Sequence, residues 1–349
     1  MFAHSVAGHG TVARSIRNPH NGRRCLITHA VARTDRASKA DDDVLSSVAN
    51  AAINTPGIFN IMKFFAKRVL KNTAEKRGVP WTEKVQTYKS DEQMEELFRI
   101  LEDPSIEYPS YYTREFHGYD EGNLNWDAAF EAEMASYVIA WRTFNDESIP
   151  AVEAFRKMKQ GIVDALKDYR GDAVVKDILD AGCSVGCSTT FLANKFPEAR
   201  VLGLDLSPYF LAVAEHSRRH SADPSVADRM EYRHALAEKT NLEDASFDVC
   251  SYQSVFHECP SSASTSILKE SYRLLKPGGT SVIFDSDPTC EALARLPPVL
   301  FTLMKATEPW TDEYYAFDIE ATMTDIGYED VKTVCTDARH RVVLGRKPL

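Results

Sequence analysis

The sequence predicts an α/β fold: a Rossmann-like doubly wound sheet with a helical N-terminal extension and aromatic-rich insertions. Three observations carry that prediction. An apolar run from Val174 to Leu179 stops at Asp180 and turns through Gly182 and Gly186 toward a helix. A second run, Val201 to Leu204, ends at Asp205, the spacing a strand–helix–strand unit requires. Further short runs follow at Val249 to Val255, Val331 to Val334 and Arg341 to Leu344.

Val174, Val175, Ile178 and Leu179 read as the first buried strand, being a short apolar run with β-branched members. Gly182 and Gly186 permit a tight turn and close approach of backbone to a bound molecule. Ser188-Thr189-Thr190 are expected to cap a helix from Phe191 to Phe196, leaving its N–H groups facing that molecule. An acid at the end of the second strand, about 20 residues on, is where a carboxylate meets a ribose. The turn reads Asp-x-Gly-x-x-x-Gly rather than G-x-G-x-x-G, which disfavours a nicotinamide-dependent reductase.

Before this core, residues 41–103 read as helical. Pro56-Gly57 interrupts the run, a helix from Ile58 to Ala74 ends at Gly78-Val79-Pro80-Trp81, and another runs from Ser90-Asp91-Glu92 to Leu101. Ile58, Ile61, Met62, Phe65 and Val69 recur at helical spacing with Lys63, Lys67, Arg68 and Lys71 between them. Residues 58–77 therefore suit either a packed helix or contact with a membrane surface. Tyr108 to Trp126 is too rich in glycine and aromatic residues for a regular element and reads as a loop presenting rings. Helices are expected from Asp127 to Trp141 and from Ala151 to Tyr169. A second aromatic stretch, residues 295–320, interrupts the end of the core. The organisation expected is a leader over 1–40, a helical extension and cover over 41–170, and the core over 171–349.

The first 34 residues hold five arginines and no acid. That composition matches an organelle transit peptide, so the leader is expected to be disordered and to direct the chain to a plastid, with the mitochondrion as alternative. Removing a leader of +5 from a chain of −10 leaves −15 for the body. A body this acidic is ill suited to a polyanion, which excludes nucleic acid as the expected partner. Seven scattered cysteines suggest no disulfide framework, and Cys183, Cys187 and Cys259 do not complete a metal-ligand set.

Taken in order, Asp180-Ala181-Gly182-Cys183-Ser184-Val185-Gly186, Asp205-Leu206-Ser207-Pro208, Ser246-Phe247-Asp248-Val249, Val255-Phe256-His257-Glu258 and Arg273-Leu274-Leu275-Lys276-Pro277-Gly278-Gly279 resemble the motifs of class I S-adenosylmethionine-dependent methyltransferases over residues 174–290. The resemblance implies S-adenosyl-L-methionine as cofactor. Asp180, Gly182, Cys183 and Gly186 would then shape its amino-acid end, Asp205 with Leu206 its ribose, and Gln253 would lie nearby. Ser184 stands where a middle glycine is frequent, and Leu236 stands where an adenine-binding Asp is common. Adenine contacts are therefore expected from backbone near Ala237 and Glu238.

His257 and Glu258 follow the fourth strand, at the mouth of the implied site. His257 is the leading general-base candidate because its ordinary pKa lies near neutrality. Glu258, His117, Asp120 and His340 follow. Tyr111, Tyr112, Tyr119, Trp126, Trp310, Tyr314 and Tyr315 are the expected acceptor-contacting rings, since aromatic faces attract a sulfonium cation. Over residues 58–346 the chain is similar to type 11 methyltransferases of cyanobacteria and plastids. That implies a small-molecule or lipid-like acceptor: a small thioether such as 4-methylthio-2-hydroxybutyrate, or a prenyl quinone carbon. A non-catalytic donor-binding protein of assembly or regulation shares the same fold.

Overall fold

The computed structural model describes residues 67–295 and 305–349, together with a two-stranded ribbon in which Ser15–Arg17 pairs with Arg24–Leu26. Apart from that ribbon, the leader expected over residues 1–40 lies outside the described residues; of the helix expected from Ile58 to Ala74, residues 67–74 are helical and the part before 67 lies outside them.

The core is a seven-stranded sheet. Its strands are β1 Asp177–Ala181, β2 Arg200–Asp205, β3 Met230–His234, β4 Phe247–Gln253, β5 Leu275–Ser286, β6 Glu329–Cys335 and β7 His340–Arg346. They lie in the order β3-β2-β1-β4-β5-β7-β6. β1 to β5 pair in parallel, and β7 is antiparallel to both of its neighbours. The order reverses between β1 and β4, so the carboxyl ends of β1, β2 and β4 open a crevice there, where ligands bind in open sheets.

Beyond a helical stretch over residues 67–76, the helices among the described residues include α1 Trp81–Lys89, α2 Gln93–Leu101, α3 Trp126–Phe144, α4 Ala151–Arg170, α5 Cys187–Lys195, α6 Pro208–Arg219, α7 Pro224–Ala227, α8 Ser261–Leu274, α9 Glu291–Ala294, α10 Thr311–Ala316 and α11 Ile319–Ile326. Alternate strand residues face opposite sides, as a period of two requires. Ile178, Val249 and Val282 pack with Phe155, Met158 and Ile162 of α4. Leu179, Cys250 and Ile283 pack on the other side with Ile267 and Leu268 of α8. The sheet is thus buried on both faces, which explains why its strands read as nearly unbroken apolar runs.

Several local expectations are corrected. β1 starts at Asp177, and Val174 lies outside it, 59% exposed. The preceding helix ends at Gly78-Val79-Pro80 as expected, and Trp81 itself opens α1, buried among α3 and α4 residues. Helix α5 starts at Cys187, with Gly186 at its N-cap in a left-handed conformation and no side-chain cap. Ser188 and Thr189 turn their hydroxyls to Asp180, because a buried carboxylate is the stronger acceptor within reach. Cys183, Cys187, Cys250, Cys259 and Cys290 are free thiols, whereas Cys335 is disulfide-bonded, which the cysteine spacing did not suggest. Among the described residues no helix is long and apolar enough to cross a membrane.

Candidate active site

At the end of β1, Asp180 is almost wholly buried. Its Oδ2 accepts from Ser188 Oγ at 2.6 Å and Thr189 Oγ1 at 2.8 Å, while Oδ1 is a buried oxygen with no protein partner. Burial raises its pKa against the pull of those hydroxyls. Below it, Lys159 of α4 is buried with its ammonium 2.7 Å from Gln253 Oε1, near Phe155 and Phe284. Burial brings Lys159 down to about 8, with the Asp180 charge opposing that shift.

The turn itself is tightly fitted. Gly182 and Cys183 both donate to the Leu204 carbonyl, at 2.7 and 3.0 Å, which locks β1 to β2 at the crevice. A Cβ on Gly182 would lie 2.4 Å from Val255 Cγ2, and one on Gly186 would lie 2.2 Å from the Tyr232 hydroxyl. Ser184 takes φ +50° at the position where the sequence departs from glycine. Its N–H donates to Asp205 Oδ2 at 2.7 Å, and that charge-assisted bond helps hold the left-handed turn without glycine.

Asp205 closes β2. Its Oδ1 accepts from Ser207 N at 2.8 Å, so each oxygen is oriented by one backbone N–H and keeps a further lone pair. Burial lifts its pKa to about 6, against those backbone bonds. Leu206 follows it in the crevice wall, buried, with its carbonyl accepting from His234 Nε2 at 3.0 Å. Leu236 and Ala237 are half-buried after β3, and Glu238 accepts the Tyr111 hydroxyl.

After β4 the chain makes a short 3-10 turn, Phe256–Glu258. His257 Nδ1 lies 2.8 Å from Asp285 Oδ1 at the end of β5, and the same carboxylate accepts His257 N at 3.2 Å. Burial disfavours the charged ring, but the Asp285 charge and hydrogen bond outweigh it, and Glu308 and Glu258 add to them, lifting His257 to about 10. The Asp285 carboxylate thus sets the orientation of this ring and favours its charged form. Glu258 Oε2 accepts from Asn123 Nδ2 at 3.0 Å, and burial lifts its carboxyl to about 7 against His257 and that bond. His117 is open to solvent but crowded by protein on its flanks. That crowding, followed by the His257 charge, holds it near 3.

The aromatic expectations divide. Tyr112 belongs to the site: burial, then the charges of Asp205 and Glu258, hold its hydroxyl well above the ordinary value. Tyr111 and Trp310 meet edge to face at 6.3 Å, with Tyr315 half-buried beyond. Tyr119 instead bonds Glu131 beneath Lys67, and Trp126 bonds Glu95 and stacks on Phe130 at 5.2 Å. Both belong to the packing between the N-terminal helices and α6. Tyr314 is fully buried, donates to the Ser286 carbonyl at 2.6 Å and supports the His257 ring from below. Asp120 is exposed, and His340 is bonded to Asp337 against Phe284.

Sequence reading missed Asn123, Lys159, Asp285 and Glu308. Lys159 carried the one usable signal, a lysine on the apolar face of α4. A groove of about 1040 Å³ between α4, α5 and β6, lined by Gln160, Thr190 and Thr333 among others, does not include Asp180, Asp205 or His257.

A family model described as a methyltransferase domain matches residues 179–283, the stretch holding Asp180, Asp205 and His257. Curated relatives include the erythromycin 3''-O-methyltransferase of Saccharopolyspora erythraea, 28% identical over 40% of this chain and 44% of that protein. The sterol 24-C-methyltransferase of Saccharomyces cerevisiae is 27% identical over 61% of this chain and 49% of that protein. The chloroplastic tocopherol O-methyltransferase of Arabidopsis thaliana is 30% identical over 33% and 32%. The chain thus spans about half or less of the length of these relatives. Residues 179–283 form a methyltransferase domain on a Rossmann-like sheet, and S-adenosylmethionine is the donor such a domain takes.

Proposed function

We propose that this chain transfers a methyl group from S-adenosylmethionine to a small polar acceptor, with a small thioether acid as the first substrate to test. The observation that carries the reading is the group of polar side chains beside Asp205: Tyr112, Glu258, His257 and His117 lie close enough to act on one another through charge, and such groups would solvate a polar acceptor and have little use for a hydrocarbon one.

The residues present fit the donor. The unpartnered Oδ1 of Asp180 offers a buried acceptor for an ammonium, and Lys159 beside it offers a cation for a carboxylate. Asp205 has one lone pair left on each oxygen for two ribose hydroxyls. Gly182 and Gly186 let the turn close against Val255 and Tyr232, which a side chain at either position would strike. When bound, S-adenosylmethionine supplies a methyl carbon already activated by its sulfonium. The chain's contribution is alignment: Tyr112 with Glu258 bounds the space in which an acceptor must point at the methyl carbon.

A second reading is methylation of a prenyl quinone or chromanol. The tocopherol relative and the rings of Tyr111, Trp310 and Tyr315 at the cleft rim favour it. The arginine-rich leader further suggests delivery to a plastid. Labelled donor offered with thioether acids and, separately, with prenyl quinones tests both readings. Label in a thioether product supports the first, and label in a quinone replaces it with the second. Tight S-adenosylhomocysteine binding with transfer to neither class would leave a donor-binding protein without this chemistry.

A further inference from the structure

We propose that His117, His257 and Glu308 bind one divalent transition cation at the mouth of the donor cleft. The three residues come from the N-terminal loop, the turn after β4 and the insertion before α10. Their ligand atoms nevertheless all lie within 4.8 Å of one another. Two imidazoles and one carboxylate form a set suited to zinc and its neighbours, and three protein ligands leave a position open for an exogenous oxygen.

The surrounding bonds hold the cluster. His117 N donates to the Thr307 carbonyl at 3.0 Å, which fastens the loop to the residue before Glu308. Thr311 Oγ1 lies 3.3 Å from Glu308 Oε2 and steadies that carboxylate. Asp285 takes the Nδ1 side of His257 and is itself fixed by Ser286 N at 2.7 Å, leaving Nε2 to ligate. A carboxylate behind a ligating histidine is the usual means of setting its ring and tautomer. Ligands at about 2.1 Å in a tetrahedron stand roughly 3.4 Å apart, so capture requires the groups to close by up to about 1.4 Å. Side-chain rotation at His117, on an open loop, supplies that movement.

The open position faces the cleft, where a cation would hold an acceptor oxygen such as a hydroxyl or carboxylate. That role rests on the proposed methyl transfer; the binding of the metal does not. The test is titration of chelator-treated full-length protein with Co2+ and with Zn2+, followed by visible absorption and calorimetry. The expected result is one equivalent bound with a tetrahedral or five-coordinate cobalt spectrum. His117→Asn and Glu308→Gln should each weaken binding by about 100-fold, and Asp285→Asn by roughly 10–100-fold. S-adenosylhomocysteine affinity reports that each variant is folded. Loss of that affinity in the unmodified protein would count against the methyltransferase reading alone. No stoichiometric metal at 100 μM, used as an order-of-magnitude threshold for a specific site, would overturn the proposal. So would undiminished binding in the His117→Asn/Glu308→Gln double variant.

Discussion

Asn123 donates from Nδ2 to Glu258 Oε2 at 3.0 Å, while its own carbonyl receives the Ser207 hydroxyl at 2.7 Å. One residue of the N-terminal loop thereby fastens the turn after β4 to the start of α6, and closes the cleft between the ends of β2 and β4. Replacing Asn123 with Ala keeps the carbonyl contact but leaves a buried Glu258 oxygen unpaired. The expected cost is about 1–3 kcal/mol of stability, the range for an orphaned buried acceptor, read as a lower denaturation midpoint. An unchanged midpoint would mean that water replaces the amide.

Asp205 sets a pH dependence. Its carboxyl is held up at about 6, mainly by burial. Above that pH it is an anion able to accept both ribose hydroxyls; as pH falls through 6 it gains a proton and loses a charge-assisted acceptor. Affinity for S-adenosylhomocysteine should be flat above pH 7 and decline below 6. The sign for ligand-free stability is opposite. A carboxyl whose folded pKa exceeds its ordinary value costs stability above the folded pKa, and that cost is relieved as pH falls from 6 toward 4. Asp205→Ala should reduce affinity at least about tenfold at pH 7.5, by the energy of a lost charged hydrogen bond. Calorimetry across pH checks both statements.

Ser184 holds φ +50° and keeps its N–H on Asp205. Ser184→Gly removes the left-handed penalty of about 1 kcal/mol and adds a comparable unfolded-state entropy, so stability should change by less than about 0.5 kcal/mol. Donor affinity should stay within twofold. Ser184→Pro deletes the N–H and cannot take positive φ, so it should abolish donor binding. Equal affinity of the proline variant would show that the turn does not orient Asp205.

Gly186 combines φ +79° with a Cβ position 2.2 Å from the Tyr232 hydroxyl. Gly186→Ala should destabilise by more than about 2 kcal/mol, from backbone strain together with overpacking. Pairing it with Tyr232→Phe removes the hydroxyl and should recover part of the loss but not the strain. Full recovery in the double variant would assign the whole effect to the clash.

Strands β1, β2, β4, β6 and β7, the two acids and the glycine turn were legible because each depends on residues adjacent in sequence; β3 and β5 were not assigned. An apolar run, its terminating carboxylate and the turn behind it form one local unit. Ser188 and Thr189 were misread as caps because their actual acceptor, Asp180, lies across the turn. Rings drew the other errors: Tyr119 and Trp126 share the composition of Tyr112, yet they pack against α3, α2 and α6.

By itself the sequence determined five strands of the sheet, the glycine turn and the positions of Asp180 and Asp205, since backbone propensity and side-chain period act over a few residues. Only the tertiary structure decided that Asp285 takes the Nδ1 side of His257, that Asn123 ties down Glu258, and that His117 meets Glu308. Those are contacts between segments far apart in the chain. Their strength comes from burial and charge at short range, quantities that exist only once the chain has folded.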